Sequence, residues 1–271
     1  MIKRKLIAFY NNLRIRLSSS NNFLFIGFYK YFYFPKEGTL EYLLNDYSKK
    51  NKKDFIVIQI GANDGINNDP IHKFIKRDKW KGVLLEPQKE VFDKFLTKVY
   101  KKNKEITLVN AALGEEDGFR SIYKIGFSNA RWATGLGTFD KEVLLSAFES
   151  GYVKFKADKD NIVIPTNIDE QIIEERVVVI SPKTLLKKYE IGKIDLLQID
   201  AEGYDYEVIK MFKIEETKPK LIVFEHLHIA KEELKECIGY LQLNGYETTD
   251  KGANSIDMLK PVNDYASFFN N

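Results

Sequence analysis

The sequence predicts an α/β domain whose Rossmann-like, mostly parallel sheet of seven strands ends in an antiparallel hairpin. From Asp54 onward, apolar runs of strand length alternate with amphipathic stretches of helix length. This alternation is typical of a parallel sheet with helices on both faces. Near the end, two strand-like runs at 246–249 and 255–259 flank a turn around Gly252, which indicates the hairpin.

Five parallel strands are expected before the hairpin, and each ends at small or polar residues. They are predicted at 56–60, 83–85, 106–111, 195–199 and 221–224. Helices are predicted at 70–77, 89–101, 184–189, 204–212 and 231–243. The order is strand, helix, strand throughout, so the carboxyl ends of the strands are expected to share one edge of the sheet.

The connection between the third and fourth strands forms an insertion at about 121–180. Extra strands are predicted at 121–125 and 176–180, and residues 128–171 between them are expected to be less ordered. Long connections of this kind usually carry function or form a lid. We therefore expect the insertion, including Arg131 and Trp132, to cover a binding site.

Residues 1–50 form a separate appendage, and residues 51–271 form the main domain. Basic side chains such as Lys3, Arg4 and Lys5 frame short apolar groups, and an aromatic run follows at 23–34. No run reaches the ~18 apolar residues that a spanning helix needs. Two interpretations stay open: helices packed on the core, or contact of residues 1–35 with an anionic membrane surface.

Composition excludes some classes of protein. Lys and Arg total 42 against 39 Asp and Glu, a net charge of +3, which is too small to indicate a nucleic-acid partner. The single cysteine, Cys237, excludes an internal disulfide framework and a Cys-rich zinc site and is typical of a reducing compartment. We expect a cytoplasmic protein that contacts the inner face of the membrane at most peripherally.

The segment after the first strand predicts a nucleoside-binding loop. Its glycines allow a tight turn and close approach of a ligand to the backbone. A pyrophosphate would meet Asp64 and Asp69 rather than a clean helix N-terminus, so a ligand with an amino group is favoured over a dinucleotide. The loop residues expected to contact the cofactor are Gln59, Gly61, Asn63, Asp64 and Gly65.

Glu86 stands at the end of the second strand. It follows Gly65 by 21 residues, close to the ~20-residue offset at which an acidic side chain accepts hydrogen bonds from ribose hydroxyls. Pro87 is expected to flank the adenosine. Residues after the third strand are expected to border the adenine, namely Asn110, Ala111 and Ala112.

The fourth and fifth strands end in titratable residues. Asp200 is expected to orient a substrate hydroxyl, act as a general base or hold a divalent cation with Glu202. Glu202 could equally cap the following helix. Glu225 and His226 follow the fifth strand, and histidine is a natural base for a hydroxyl. Glu225 and His228 are alternative metal ligands.

Five segments together resemble the FkbM-type methyltransferases. The resemblance spans about residues 54–259, and its most specific segment is Ile-Asp-x-Glu-Gly, which ordinary dehydrogenases do not share. One departure is Gln59, where the family commonly has Asp. The matching segments are 60–65, 86–87, 110–113, 199–203 and 224–226.

The resemblance implies a class I methyltransferase fold, S-adenosylmethionine as methyl donor, and methylation of a hydroxyl on a sugar or natural product. If the roles of the family's motif residues apply to the matching positions here, Gly61, Asn63 and Gly65 shape the cofactor loop and Glu86 holds the ribose. Asp200 and Glu202 line the transfer site. We hypothesise Asp200 or His226 as the base, with Glu225 as a further catalytic residue, and we expect Asp200 also to contact the cofactor. The acceptor is expected to contact Arg131, Trp132, Glu202 and His228.

Two other functions remain as alternatives. A nicotinamide-dependent oxidoreductase shares the nucleotide-binding geometry of strand, loop and strand. A membrane-associated, non-catalytic component of a glycan-assembly complex would account for the basic and aromatic N-terminus.

Overall fold

The computed structural model describes residues 2–51 and 54–269, and it describes side chains from residue 9 onward. In this part of the chain, ten strands form two sheets. The strands are β1 (Ile56–Ile60), β2 (Lys81–Leu85), β3 (Ile106–Val109), β4 (Ala112–Leu113), β5 (Gly118–Ile125), β6 (Ile172–Ile180), β7 (Leu196–Ile199), β8 (Leu221–Glu225), β9 (Tyr246–Lys251) and β10 (Asn254–Leu259).

Helices cover the sheets and build the N-terminal segment. They are α1 (Ile2–Ser19), α2 (Phe23–Tyr31), α3 (Leu40–Lys50), α4 (His72–Asp78), α5 (Lys89–Val91), α6 (Thr97–Tyr100), α7 (Arg131–Thr134), α8 (Lys141–Glu149), α9 (Tyr152–Asp160), α10 (Ile168–Gln171), α11 (Pro182–Lys188), α12 (Asp205–Met211), α13 (Ile214–Thr217), α14 (Lys231–Leu243) and α15 (Ala266–Phe269). A π-helical segment, Phe92–Leu96, joins α5 to α6.

The main sheet has the order β3-β2-β1-β7-β8-β10-β9. Neighbours from β3 to β8 pair in parallel, and β10 pairs antiparallel with both β8 and β9. The predicted fold class, a mostly parallel seven-stranded sheet closed by a hairpin, is therefore confirmed. The chain reverses its direction of winding between β1 and β7, and open α/β sheets bind ligands at such a switch point.

Two large apolar clusters bury the two faces of this sheet. On one face, Val57, Leu196 and Val223 pack with α4 and with side chains of α3. On the other face, Ile58 and Leu197 pack with α11, α12 and α14. Successive residues of each strand thus face opposite layers, as the alternation of side chains along a strand requires.

The insertion differs from the prediction. Residues 128–171 were expected to be less ordered, yet they contain the four helices α7 to α10. This expectation was wrong because the apolar residues there recur at helical spacing: Leu144, Ala147, Val153 and Ala157 are buried together or against β5. Asp140 also caps α8 by accepting a hydrogen bond from the Glu142 amide at 2.9 Å.

The N-terminal helices are attached to the sheet by buried contacts. Leu40, Leu43 and Leu44 of α3 lie in the same cluster as the strands. At the end of α1, the hydroxyl of Ser18 lies 2.8 Å from Nε2 of His72. The ammonium of Lys76 donates to the Ser18 carbonyl at 3.1 Å. The side chains of Lys3, Arg4 and Lys5 lie outside the described residues.

Asp257 offers a test of how burial sets stability. This side chain is fully buried in β10, and burial raises its pKa to about 8. The carboxyl therefore stays protonated in the folded protein at neutral pH. Its contribution to the free energy of unfolding is complete below the unfolded pKa near 4, and it is lost as pH rises through about 8. We expect Asp257→Asn to remove this loss, which amounts to at most about 1.4 kcal/mol per pH unit between pH 5 and 7.

The measurement is urea unfolding of wild type and variant at several pH values. Asp250→Asn is the matched control, because Asp250 lies on the neighbouring strand β9 and is about half exposed. If wild type and Asp257→Asn show parallel stability from pH 5 to pH 8, the carboxyl is not protonated in the folded protein.

Candidate active site

Two cavities meet at the carboxyl edge of the main sheet. The wider one is a groove of about 1210 Å³ that runs from the strand ends between the insertion and the N-terminal helices. The smaller one, of about 60 Å³, lies above β1, β2 and the start of β4. Four residues line both cavities: Arg131, Gly135, Asp200 and Glu202.

The loop after β1 brings the backbone close to the end of β7. Gly61 has a φ of +78°, and a Cβ atom there would lie 1.9 Å from the carbonyl oxygen of Asp200. Only glycine fits this position without a shift of the backbone. Asn63, with a φ of 46°, donates its backbone N–H to Oε2 of Glu86 at 2.8 Å. Gly61 and Asn63 both line the smaller cavity.

Three other predicted loop contacts do not line either cavity. Asp64 accepts hydrogen bonds from the backbone of Ile66 at 3.0 Å and of Asn67 at 2.8 Å, so it holds the turn itself. Gly65 packs against Leu96, to which a Cβ would approach within 2.6 Å. Gln59 is buried within β1. In this structure the three residues shape the loop, and their direct contact with the cofactor stays a prediction.

Asp69 is the acid that faces the groove instead. Its Oδ1 accepts from the backbone of Ile71 at 2.8 Å and of His72 at 3.1 Å. Its Oδ2 is buried and makes no hydrogen bond of regular geometry with the described residues, although the nearby Gln59 side chain lowers the pKa of Asp69. Burial raises the pKa of Asp69 to about 6. A carboxylate oxygen without a regular hydrogen bond at the wall of a groove is ready to accept from a cationic ligand.

Glu86 lies at the floor of the smaller cavity, as the sequence led us to expect. The side chain is 2% exposed, and its Oε1 accepts the Gln88 backbone N–H at 2.8 Å. Burial raises the pKa of Glu86 to about 7, opposed by these backbone hydrogen bonds and by Arg131. Each carboxylate oxygen can accept a second hydrogen bond, so two ligand hydroxyls can still bind.

The remaining predicted residues near the adenosine divide into lining and supporting groups. Pro87, Ala111 and Ala112 line the smaller cavity. Asn110 does not line it, because its Nδ2 donates to the carbonyls of Glu86 at 2.8 Å and Pro87 at 3.0 Å. Asn110 therefore fixes the turn that carries Glu86.

Apolar side chains that the sequence did not indicate complete the smaller cavity. They come from β5, from the segment after α7 and from the start of α12, which only the folded chain brings together. None belongs to a motif, so no local signal could have revealed them. They are Ile122, Phe139, Tyr204 and Val208.

A cluster of acids with one imidazole lies where the groove meets the strands. Burial and the neighbouring Glu225 raise the pKa of Asp200 to about 6, and Asp200 Oδ1 has no partner among the described residues. Burial also raises the pKa values of Glu202 and Glu225. His228 Nε2 lies 3.3 Å from Glu202 Oε2, while burial lowers the pKa of His228.

His226 does not join this cluster. Its Nε2 lies 3.2 Å from the Gly252 carbonyl in the β9–β10 turn, and the residue lines neither cavity. Side chains alternate along a strand, so the residue that follows Glu225 points away from the groove. The structure thus places His226 away from both cavities, and His228 is the histidine that lines the groove together with Asp200.

The expected cation ligands are also arranged differently. Glu202, Glu225 and His228 have potential ligand atoms within 4.8 Å of one another, and Asp200 is outside this set. The contact between His228 and Glu202 accounts for two of the three groups as a pair with each other. The cluster therefore carries no metal assignment.

The start of the insertion covers both cavities. Arg131 and Trp132 of α7 line the groove, as expected. The segment continues over Glu86: Gln88 Nε2 donates to the Thr134 carbonyl at 2.7 Å, and the Thr138 hydroxyl donates to the Glu202 carbonyl at 3.2 Å. We name residues 131–138 the covering segment.

The charges of the site suit one kind of ligand. Among the residues that line the smaller cavity, Glu86, Asp200 and Glu202 are acidic and Arg131 is basic, whereas the groove is also lined by the basic residues Arg14, Lys73, Lys156 and Lys251. The acidic set of the smaller cavity fits a nucleoside whose other end carries positive charge, and it would repel a pyrophosphate. A volume of about 60 Å³ is less than such a ligand needs. We expect the covering segment to move outward when a ligand of this kind enters.

Comparisons with known proteins point in the same direction. The family model described as the methyltransferase FkbM domain matches residues 59–248. Among solved structures, a methyltransferase FkbM from Methylobacillus flagellatus KT is similar at a TM-score of 0.45 and 13% identity, over 76% of this chain and 43% of that chain. The present chain thus spans less than half of that protein's length.

Two further structures show a distant likeness. A precorrin-6y C5,15-methyltransferase from Geobacter metallireducens GS-15 has a TM-score of 0.34 and 12% identity, over 84% of this chain and 93% of that chain. A human methyltransferase 10 domain containing protein has a TM-score of 0.39 and 10% identity, over 84% of this chain and 85% of that chain. No curated protein matches the chain.

Proposed function

Since the chain belongs to the FkbM methyltransferase domain family, we propose that it transfers a methyl group from S-adenosylmethionine to a hydroxyl of a sugar, polysaccharide or related glycan. One observation carries the proposal. Asp200, with a buried oxygen that has no partner among the described residues, lies where the smaller cavity joins the wide groove. Donor and acceptor would therefore meet beside this carboxylate.

The residues of the site fit the donor. Glu86 would bind the ribose hydroxyls, and the alanines after β3 with Phe139 would enclose the adenine. The buried Oδ2 of Asp69 would accept from the amino group. S-adenosylmethionine supplies an electrophilic methyl group on a positively charged sulfur.

The protein has to position the acceptor hydroxyl and remove its proton. Positioning supplies much of the barrier reduction in a displacement of this kind. Asp200 is the first candidate for the base, because a pKa of about 6 keeps it mostly ionised at neutral pH and still basic. Burial lowers the pKa of His228 and so favours its neutral form, and its Nε2 lies 3.3 Å from Oε2 of Glu202.

The groove suits a carbohydrate acceptor. Its volume of about 1210 Å³ exceeds what a small metabolite fills and approaches that of an oligosaccharide. Trp132 and Tyr152 supply aromatic faces for sugar rings, and Arg131 and Lys156 supply cations for acidic groups on the glycan.

The experiment is a transfer assay with radiolabelled S-adenosylmethionine. Glycan and lipid extracts from cells that lack this chain serve as acceptors, and extracts from cells that express it serve as the control. We expect label to enter a glycan only from the deficient cells. Label in protein or nucleic acid alone, or in no fraction, would contradict the proposal.

Calorimetry distinguishes the methyltransferase from a nicotinamide-dependent oxidoreductase by comparing the affinities for S-adenosylhomocysteine and NAD. S-adenosylhomocysteine is expected to bind at least about 100-fold more tightly than NAD, because the acids around the smaller cavity repel a pyrophosphate. Preferential binding of NAD would favour the oxidoreductase.

A further inference from the structure

Helix α2 is aromatic on both of its faces. On the inner face, the rings of Phe25 and Tyr29 lie 6.5 Å and 6.1 Å from the imidazole of His72. The ring of Tyr33, just past the helix, lies 6.3 Å from that of Phe74. These contacts fix the orientation of the helix on the domain.

The outer face of α2 carries a second set of aromatic side chains without cover from the described residues. Phe23 is 77% exposed, Phe28 53% and Phe32 70%. None of the nine residues of α2 is buried. Leu24, Tyr31 and Phe34 are exposed as well. A clustered apolar surface of this kind marks an interaction site far more often than isolated exposed residues do.

The charged residues of the N-terminal segment have one sign up to Lys36, and the first acidic residue is the exposed Glu37. Residues 1–36 contain seven basic residues and no acidic residue. Arg16, Lys30 and Lys36 are exposed, and Lys30 Nζ lies 5.1 Å from the centre of the Tyr31 ring. Aromatic side chains interleaved with basic ones suit a surface that is apolar beneath and negatively charged above.

We propose that this outer face of α2, which we name the docking face, binds the surface of an anionic lipid bilayer. The aromatic rings would enter the boundary between headgroups and acyl chains, and the basic side chains would contact lipid phosphates. No helix in residues 2–51 and 54–269 is long and apolar enough to cross a membrane.

Charge favours a bilayer over a second copy of the chain. In a two-fold symmetric dimer, each surface meets its own equivalent. The docking face would then bring the exposed Lys30 towards Lys30 of the partner, and α2 contains no acidic residue to offset that charge. An anionic bilayer supplies the opposite charge.

The docking face adjoins the outer end of the groove. Arg14 of α1, Tyr29 of α2 and Thr39 before α3 all line the groove, and Tyr29 lies on the inner face of the helix whose outer face would bind lipid. A glycan carried by a membrane lipid would enter the groove from this end. That consequence rests on the proposed function, whereas docking itself does not.

The test is co-sedimentation of the full chain with vesicles. We expect binding to vesicles of equal parts phosphatidylglycerol and phosphatidylcholine, and little binding to phosphatidylcholine alone. The variant Phe23→Ser, Phe28→Ser, Phe32→Ser is expected to lower partitioning by about 100-fold or more. Lys30→Gln and Lys36→Gln are each expected to lower it by about fivefold.

A matched control replaces exposed apolar residues elsewhere. Phe155 in α9 is 63% exposed and Leu243 in α14 is 90% exposed, so Phe155→Ser, Leu243→Ser should bind vesicles like wild type. Binding of S-adenosylhomocysteine should be unchanged in all variants, which reports that they fold. The proposal is overturned if wild type does not bind anionic vesicles, or if the control variant loses as much binding as the triple variant.

Light scattering distinguishes the other occupant. The docking face would be assigned to a second copy of the chain if wild type is a dimer, the triple variant is a monomer, and wild type does not bind vesicles. Loss of methyl transfer with intact vesicle binding would contradict the proposed function and leave the docking proposal standing.

Discussion

Replacing Asp200 with Asn is expected to lower the rate of methyl transfer by about 10²-fold to 10⁴-fold, the range that a general base contributes. Asparagine keeps the size of the side chain and loses the ability to accept a proton. Asp200 is the carboxylate shared by both cavities, and its Oδ1 has no partner among the described residues. Donor binding should change by only a few fold, because Asp69 and Glu86 remain.

Two histidine variants sharpen this result. His226→Ala should retain nearly full transfer, since His226 contacts the β9–β10 turn and lines neither cavity. His228→Ala should slow transfer, because His228 lies beside Glu202 in the groove. The measurement is the initial rate of label transfer at saturating donor. A full rate in Asp200→Asn, or a collapse in His226→Ala alone, would refute the assignment.

Replacing Gly61 with Ala is expected to weaken binding of S-adenosylhomocysteine and to lower the rate of methyl transfer by about 100-fold, because a misplacement of about 1 Å in a site costs this much in rate. The new Cβ would lie 1.9 Å from the Asp200 carbonyl oxygen, so the β1 loop and the end of β7 must separate. That shift moves the backbone that carries Asn63 and Asp200 together. Calorimetry measures the affinity.

Two glycines provide the controls. Gly192→Ala should leave both binding and stability unchanged, because a Cβ there meets nothing within 4 Å. Gly82→Ala would place a Cβ 1.8 Å from the Val57 carbonyl, away from both cavities, so it should lower the unfolding temperature and leave affinity in the folded fraction near wild type. If Gly61→Ala behaves like Gly82→Ala in both measurements, Gly61 serves stability only.

The strands were predictable because each carries its own signal. Apolar runs bounded by polar residues located every strand of the main sheet to within two residues at either end. Glu86 could be placed because strand spacing and an acidic residue coincided. Helix α14 was predicted at its observed bounds, since its amphipathic pattern continues without interruption from Lys231 to Leu243.

The site was harder to predict, since spacing along a chain does not report which way a side chain points. Asp64 and Asp69 looked equivalent in the sequence, yet Asp64 satisfies the amides of its own turn and Asp69 keeps an oxygen towards the groove. His226 contacts the β9–β10 turn, whereas His228 contacts Glu202 in the groove. Phe139 and Tyr204 reach the smaller cavity only through the tertiary fold.

The covering segment has a consequence for turnover. Its residues Arg131 and Gly135 form part of the wall of both cavities, and Thr134 also donates to Asn63 Oδ1 at 3.2 Å. Opening the smaller cavity therefore removes a wall of the groove. We expect compulsory-order kinetics, in which the nucleoside enters first and leaves last. The acceptor would then bind only to an enzyme already loaded for reaction, and exchange of the spent nucleoside would limit the steady-state rate.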